Sequence, residues 1–351
     1  MEGDTSHPRK GGKRLRLALA LASMGAILLA GCAGSPSMLL PYSTSAQKIS
    51  NLIILTFSIA AAVFVIVEGM LIYASIHYSR RSLKGEPSKT EGNQPLEIGW
   101  TLLPATVLLV VFILTIPTLR AVAYQPQTYV NPFTGQSGKP MEVHVVGHQW
   151  WWEFDYPEYG IVTANEMHVP VGVAVNVSLA SVDVIHSFWV PQLFGKTDVI
   201  PGHNNTTWFL ATKTGEYYGQ CAEFCGAEHA LMRLRIIVDT PEQFQAWVKQ
   251  MQAPVPQMTG LAAQGEQAFM NGPCIGCHTI DNTNAQGKVG PNLTHFASRQ
   301  YFAGDSFENT PENVAQWLTD PQVMKPGSLM PNLHLSQEEI NQLVAFLDSL
   351  K

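Results

Sequence analysis

The chain has 351 residues, 46% of them hydrophobic and 14% charged, with a formal net charge of −6. This excludes a disordered acidic or basic tail protein, and the lack of a basic face excludes nucleic-acid binding. The length leaves room for two or three domains, and a mean hydropathy of +0.05 alongside polar stretches concentrates the apolar residues in segments, as membrane spans do. The odd set of five cysteines, at 32, 221, 225, 274 and 277, forms one lone residue and two close pairs. That is no disulfide framework and reads as three separate chemical devices.

Residues 1–31 carry Lys10, Lys13, Arg14 and Arg16, then an apolar run from Leu17 to Ala30 that is too short to span a bilayer. The pattern predicts an export signal, and Leu29-Ala30-Gly31-Cys32 resembles the lipobox of bacterial lipoproteins. That resemblance makes Cys32 the lipidated mature N-terminus; a short uncleaved anchor is the alternative. Residues 32–124 then read as a membrane anchor. Leu52–Ile76 holds Glu68 as its one formal charge, and a helix of that length is about 37 Å long. Ile98–Leu119 is uncharged. Spans are expected at about 49–78 and 97–121. Arg80, Arg81, Lys84 and Lys89 between them place the turn in the cytoplasm and everything after Ala121 outside. Glu68 reads as a structural carboxyl between the helices, and Glu97 as a carboxylate favoured by a helix N-terminus.

From Met141 to Val238 the pattern becomes alternating, with Val171, Val173, Val175, Val177 and Leu179 interleaved with small or polar residues. Frequent turn signals predict an antiparallel sandwich or barrel within residues 125–245, ending in a strand at Arg233–Val238. Before that strand lie Cys221, Cys225, His229 and Met232, a soft donor set that selects copper or zinc, with His186 on an earlier strand. A closed structural zinc site of two Cys and two His competes with an electron-transfer copper site. Met232 favours copper, because a weak axial thioether beside cysteine and histidine suits that chemistry, and a second thiolate lets two coppers share bridging sulfurs.

The two spans, Gly147-His148-Gln149-Trp150-Trp151-Trp152, Asp183-Val184-Ile185-His186-Ser187, Lys196-Thr197-Asp198, Pro201-Gly202 and Tyr217-Tyr218-Gly219-Gln220-Cys221 resemble subunit II of the haem-copper cytochrome c oxidases, over about residues 49–240. The resemblance implies a cupredoxin fold with a binuclear CuA centre held by His186, Cys221, the Glu223 carbonyl, Cys225, His229 and Met232. It also implies that the Glu223 side chain faces a magnesium site at the subunit I interface. Trp150 matches the tryptophan through which electrons reach CuA, with aromatic packing at the membrane interface as the alternative. Glu97 matches the carboxylate at a proton-pathway entrance. Two positions depart from many members: Trp151 stands where tyrosine or phenylalanine is common, and His203 where arginine is common, which puts a salt bridge towards subunit I in doubt.

Residues 246–259, with Ala253-Pro254-Val255-Pro256, read as a stiff linker. Beyond it, Cys274-Ile275-Gly276-Cys277-His278 predicts a covalently attached c-type haem with His278 as proximal ligand. A helix is expected at Leu261–Met270. Ser336 and Glu339 form a capping box for a terminal helix that packs on it. Residues 260–351 resemble a class I cytochrome c. By that resemblance Met330 rather than Met324 is the distal ligand, and Pro291 offers its carbonyl to the His278 ring. His295 and His334 have no ligand spacing around them.

The expected architecture is a multidomain membrane protein: a two-helix transmembrane hairpin, an all-β cupredoxin sandwich and an all-α cytochrome c domain. The resemblance implies subunit II of a caa-type oxidase in a bacterial plasma membrane, with the metal domains outside. In that role it carries electrons from an external donor, such as a cytochrome c or an upstream respiratory complex, through haem c and CuA to haem a of subunit I. Oxygen reduction there is coupled to proton translocation, with subunit III as a further partner. The spans lack the histidines for haem a or copper B, so the chain alone does not reduce oxygen. The alternatives are the electron-input subunit of a CuA-containing nitric oxide reductase and a non-enzymatic anchored haem/zinc protein; a quinol oxidase subunit would lack the copper ligands.

Overall fold

The computed structural model describes residues 36–79 and 92–351. Cys32, the signal segment and the basic turn lie outside those residues. Two long helices come first, α1 (Thr44–Ser79) and α2 (Gln94–Ala123). Both are apolar enough to cross a membrane, and they expose large side chains such as Phe57, Phe64, Leu103 and Phe112 along their length. At about 1.5 Å per residue α1 is about 54 Å long, well beyond the hydrocarbon thickness.

The surplus lies at its N-terminus, where α1 begins five residues earlier than hydropathy indicates. Ser43, Ser45, Ala46 and Ser50 are buried, the Ser45 hydroxyl donates to the Trp208 carbonyl (3.3 Å), and the Tyr42 amide donates to the Gln192 carbonyl (2.8 Å). Docking on the β domain therefore makes this polar turn helical. α2 starts behind Asn93, whose side chain accepts from the Leu96 amide.

The β domain opens with a small hairpin, β1 (Tyr129–Val130) and β2 (Ser137–Gly138), followed by β3 (Met141–His148), β4 (Trp151–Tyr156), β5 (Ile161–Ala164) and β6 (Glu166–Pro170). It continues with β7 (Ala174–Ser181), β8 (His186–Trp189), β9 (Thr197–Val199), β10 (Asn205–Leu210), β11 (Gly215–Cys221) and β12 (Arg233–Asp239). One sheet has the order β10-β7-β3-β4-β5 and the other β6-β12-β11-β8-β9.

The sandwich is mixed rather than antiparallel throughout: β3 runs parallel to β7, and β6 parallel to β12. The alternation expected from Val171 begins as strand only at Ala174, because Gly172 turns the chain at φ +76°. Between the sheets Trp152, Phe154, Val177, Leu179, Phe188, Phe194, Phe209 and Met232 are fully buried, a core complete in side chains.

A helix that the linker reading passes over, α3 (Pro241–Met251), follows β12. Thr240 and Gln243 close a capping box on it, and Phe244, Val248 and Met251 bury one face against the sandwich core. The stretch between helices is therefore 252–259, shorter than the expected 246–259. Then come α4 (Gly260–Asn271), a two-stranded ribbon β13 (Tyr301–Phe302) and β14 (Phe307–Glu308), α5 (Pro311–Thr319), the short α6 (Pro321–Met324) and α7 (Gln337–Asp348). The Ser336/Glu339 capping box starts α7, whose Leu343 and Phe346 share a core with Phe269 of α4. Gly265 permits that approach: a Cβ there would collide with the Gln342 carbonyl.

Candidate metal and haem sites

The copper-type site forms where β8, β11 and the loop 222–232 converge. Cys221 ends β11, its amide donates to the Met232 carbonyl (2.9 Å), and the Ala222 amide donates to the Ser187 carbonyl (2.9 Å), so the loop is closed on itself and tied to β8. His186 is fully buried, with Trp152 edge-on at 5.9 Å, in space that a Cβ on Gly147 would take.

Cys221 Sγ and Cys225 Sγ stand 3.7 Å apart, far from disulfide length. Around them lie His186 Nδ1 at 3.9 Å and the Glu223 carbonyl at 3.2 Å from Cys221, and His229 Nδ1 at 3.6 Å and Met232 Sδ at 3.8 Å from Cys225. The four other donors named from the sequence therefore gather around this pair of sulfurs. His186 Nε2 meets Asp183 Oδ1 at 2.8 Å, which orients the ring and leaves Nδ1 for the sulfurs.

Burial alone would lower the His186 pKa, but the contacts with Cys221 and Asp183 outweigh it and raise it. The contact between the two sulfurs splits the pair, holding Cys221 well below the usual thiol range and pushing Cys225 up, so that without a metal one proton is shared between them. The Glu223 side chain points away from this centre and sits 3.6 Å from Lys196 Nζ on the surface.

The second site is an apolar cavity in the helical domain, lined by Cys274, Cys277, His278, Leu293, Trp317 and Met330, among others. Pro273–Gly276 forms one 3-10 turn, which sets the two cysteines and His278 on the cavity wall. His278 Nδ1 donates to the Pro291 carbonyl at 2.9 Å, so Nε2 keeps its lone pair. Burial lowers the His278 pKa and holds the ring neutral, as an iron ligand must be. A Cβ on Gly290 would clash with the His278 ring, so glycine is required beside it. Met330 lines the cavity and its Sδ lies 3.0 Å from Trp317 Nε1; Met324 is not among the lining residues.

Sequence reasoning passed over Arg299. It lines the same cavity and is buried, donates to the Asn292 carbonyl, and leaves Nε without a protein partner among the described residues. An unpaired guanidinium N–H beside an apolar cavity suits the carboxylates of a haem, and the donors on the wall suit its iron and vinyl groups. No periodicity or motif distinguishes a buried arginine from a surface one.

The two sites share a wall. Trp150, on the loop between β3 and β4, is 9% exposed and lines the haem-type cavity, while its indole N–H donates to the Cys225 carbonyl at 3.0 Å. Gly226, at φ +117°, lets the copper-type loop lie against the indole. Around this point the domains interlock. Arg235 of β12 pairs with Asp305 at 2.8 Å, its guanidinium 3.8 Å from the Tyr301 ring, and the Gln300 and Tyr301 amides donate to Glu166 Oε1 at 2.7 and 2.9 Å. Of the remaining predicted residues, Glu97 stands exposed in the first turn of α2 and lines neither site; His295 is buried with Nδ1 on the Lys351 carbonyl.

Comparison with known proteins follows this division. Residues 37–120 match the transmembrane domain of cytochrome c oxidase subunit II, 161–240 its periplasmic domain, and 262–351 cytochrome c. Cytochrome c oxidase subunit 2 of Alkalihalophilus pseudofirmus is 37% identical over 93% of this chain and 94% of its own length; that of Bacillus sp. (strain PS3) is 38% identical over 94% and 96%. Among solved structures, the periplasmic domain of subunit II of cytochrome oxidase of Bradyrhizobium japonicum is 37% identical, covering 32% of this chain and 92% of that chain at a TM-score of 0.31. The periplasmic-domain match implies copper and the cytochrome c match implies haem. The chain therefore belongs to the cytochrome c oxidase subunit II family, as a member with a carboxy-terminal cytochrome c domain, and is a subunit of an oxidase complex.

Proposed function

We propose that this chain accepts electrons from an external donor at a covalently attached haem and delivers them through a binuclear copper centre to haem a of subunit I, where oxygen is reduced to water and protons are translocated. The observation that carries this reading is Trp150, which faces the haem-type cavity and bonds the backbone of copper ligand Cys225. Haem and copper supply the one-electron chemistry that no side chain here offers.

The residues hold and orient. Cys274 and Cys277 would attach the haem covalently, and His278 and Met330 would ligate its iron, a donor pair that raises a haem potential. Cys221, Cys225, His186, His229, Met232 and the Glu223 carbonyl would hold the copper, a soft donor set suited to one-electron transfer. Six converging donors, including a thioether and a carbonyl, exceed what a closed tetrahedral zinc site uses, which supports copper. The outward Glu223 carboxylate, beside Lys196 at the surface, would meet magnesium at the subunit I face. Glu97, at the start of the second span, takes the proton-pathway entrance. The anchor sits in a bacterial plasma membrane with both metal domains outside, Cys32 carries lipid, and subunit III completes the complex.

Optical and EPR spectra of the purified chain with metal analysis test the reading. Two coppers in a mixed-valence signal beside one low-spin c-type haem are expected; one zinc per chain after copper loading under reductant overturns it.

A further inference from the structure

Lys325 is a lysine almost fully withdrawn from water, its side chain 4% exposed, in the segment that leads to Met330. It is not held by its own domain alone. Its Nζ lies 3.3 Å from the Trp150 carbonyl, 3.2 Å from the Leu231 carbonyl and 3.0 Å from the Ala303 carbonyl, with Glu228 Oε2 at 3.6 Å. An ammonium has three donors, and here they are shared among two cupredoxin carbonyls, one cytochrome carbonyl and a buried carboxylate. Burying such a charge is costly unless every partner is in place, so the group is stable only with the two domains in register.

The partners matter individually. The Trp150 carbonyl belongs to the residue that faces the haem-type cavity, and Leu231 immediately precedes Met232. Gly304 shows how closely the surfaces meet: a Cβ there would stand 2.6 Å from the Leu231 carbonyl, 2.8 Å from the Trp150 carbonyl and 2.9 Å from Lys325 Nζ. The Arg233 amide donates across the same seam to the Gly304 carbonyl at 3.0 Å.

We infer that Lys325 is a positioning residue for electron transfer within the chain: its ammonium pins the segment bearing Met330 to the backbone of Trp150 and Leu231, so the haem domain donates from one fixed seat rather than by swinging on its linker. The inference rests on the electron path proposed above. A fixed seat matters because transfer depends steeply on geometry, and small misplacements of reacting groups cost large factors in rate.

The test compares the full chain, assembled in the oxidase, with Lys325→Met and Gly304→Ala variants. In both, haem-to-copper transfer after flash photoreduction of the haem is expected to fall by about tenfold or more. The haem optical spectrum, the copper EPR signal and turnover after direct photoreduction of copper should stay native. Hydrogen exchange at the Arg233 amide should accelerate in both variants, a readout independent of electron flow. Native transfer rates in both variants overturn the assignment. So does a changed haem or copper spectrum in Lys325→Met, which would make Lys325 a support of a ligand rather than of the seat. Absence of haem-to-copper transfer in the unaltered protein strikes the electron path itself, a separate result.

Discussion

The two metal-type sites lie against one tryptophan, yet the chain builds them by opposite means. The copper-type donors stand on a strand end, a neighbouring strand and an eleven-residue loop closed by backbone hydrogen bonds, inside a sandwich whose core is filled by its own side chains. The haem-type donors come from one 3-10 turn with the residues just after it and from one distant loop, and all line an apolar cavity walled by Leu293, Phe302, Trp317 and Leu347. A sheet can pre-arrange soft ligands because its backbone ladder fixes strand spacing independently of the metal. A domain of short helices with an apolar cavity at its centre needs its prosthetic group as part of its core.

The sharpest way to break this contrast is to remove the attachment. Cys274→Ala with Cys277→Ala should abolish covalent haem on denaturing gels and destabilise residues 260–351 by about 3–5 kcal/mol, as the loss of a large buried group does. Limited proteolysis should then cut that region first while the copper EPR signal survives. Retained protease resistance in the helical domain would remove the distinction between the two sites.

The converse change should be mild for the fold and complete for the site. Cys221→Ser replaces a soft sulfur donor by a hydroxyl that binds copper poorly, so on the proposed reading the mixed-valence signal should vanish. The β domain should lose less than about 2 kcal/mol, since the deleted sulfur is one contact in a filled core. Calorimetry and EPR of the same sample read both; a β domain that unfolds would show that the metal, not the sheet, organises the loop.

The smallest effect concerns the seam between the regions. Burial pushes the Glu166 carboxyl from its ordinary value of 4.5 up to about 7, opposed by the Tyr301 and Gln300 amides and Arg235 and reinforced by Asp305, which burial itself raises to about 6. Between about pH 4.5 and 7 the folded protein therefore keeps a proton that the unfolded chain has released, and stability falls as pH rises through that window. Thermal unfolding from pH 5 to 8 should show a shallower decline for Glu166→Gln than for the unaltered chain, both flattening above about 7. An unchanged slope in the variant would discount Glu166 as a source.

Much of the candidate site was legible because it is local. Cys274 to His278, Cys221 to Met232 and the Ser336/Glu339 cap each lie within a dozen residues, where spacing alone sets what the side chains can share. The apolar spans are legible for a related reason, since hydrocarbon length imposes a run length on sequence. Helix α3 was readable too, from Thr240-Pro241, Gln243 and the spacing of Phe244, Trp247, Val248 and Met251, but it lay hidden beneath the proline-rich stretch that follows.

What sequence alone determined, then, is the set of groups available for chemistry: two cysteines with imidazoles and a thioether, a C-x-x-C-H motif, and an anchor to hold both at a membrane. Only the tertiary structure decided their relation. Lys325 and the Trp150 carbonyl are 175 residues apart, and Arg235 and Asp305 70 apart. No period or motif links such pairs, because their meeting depends on how two folded surfaces fit. Burial then does what composition cannot show: it turns an unremarkable lysine, arginine and glutamate into groups that are stable only when the two domains are seated together.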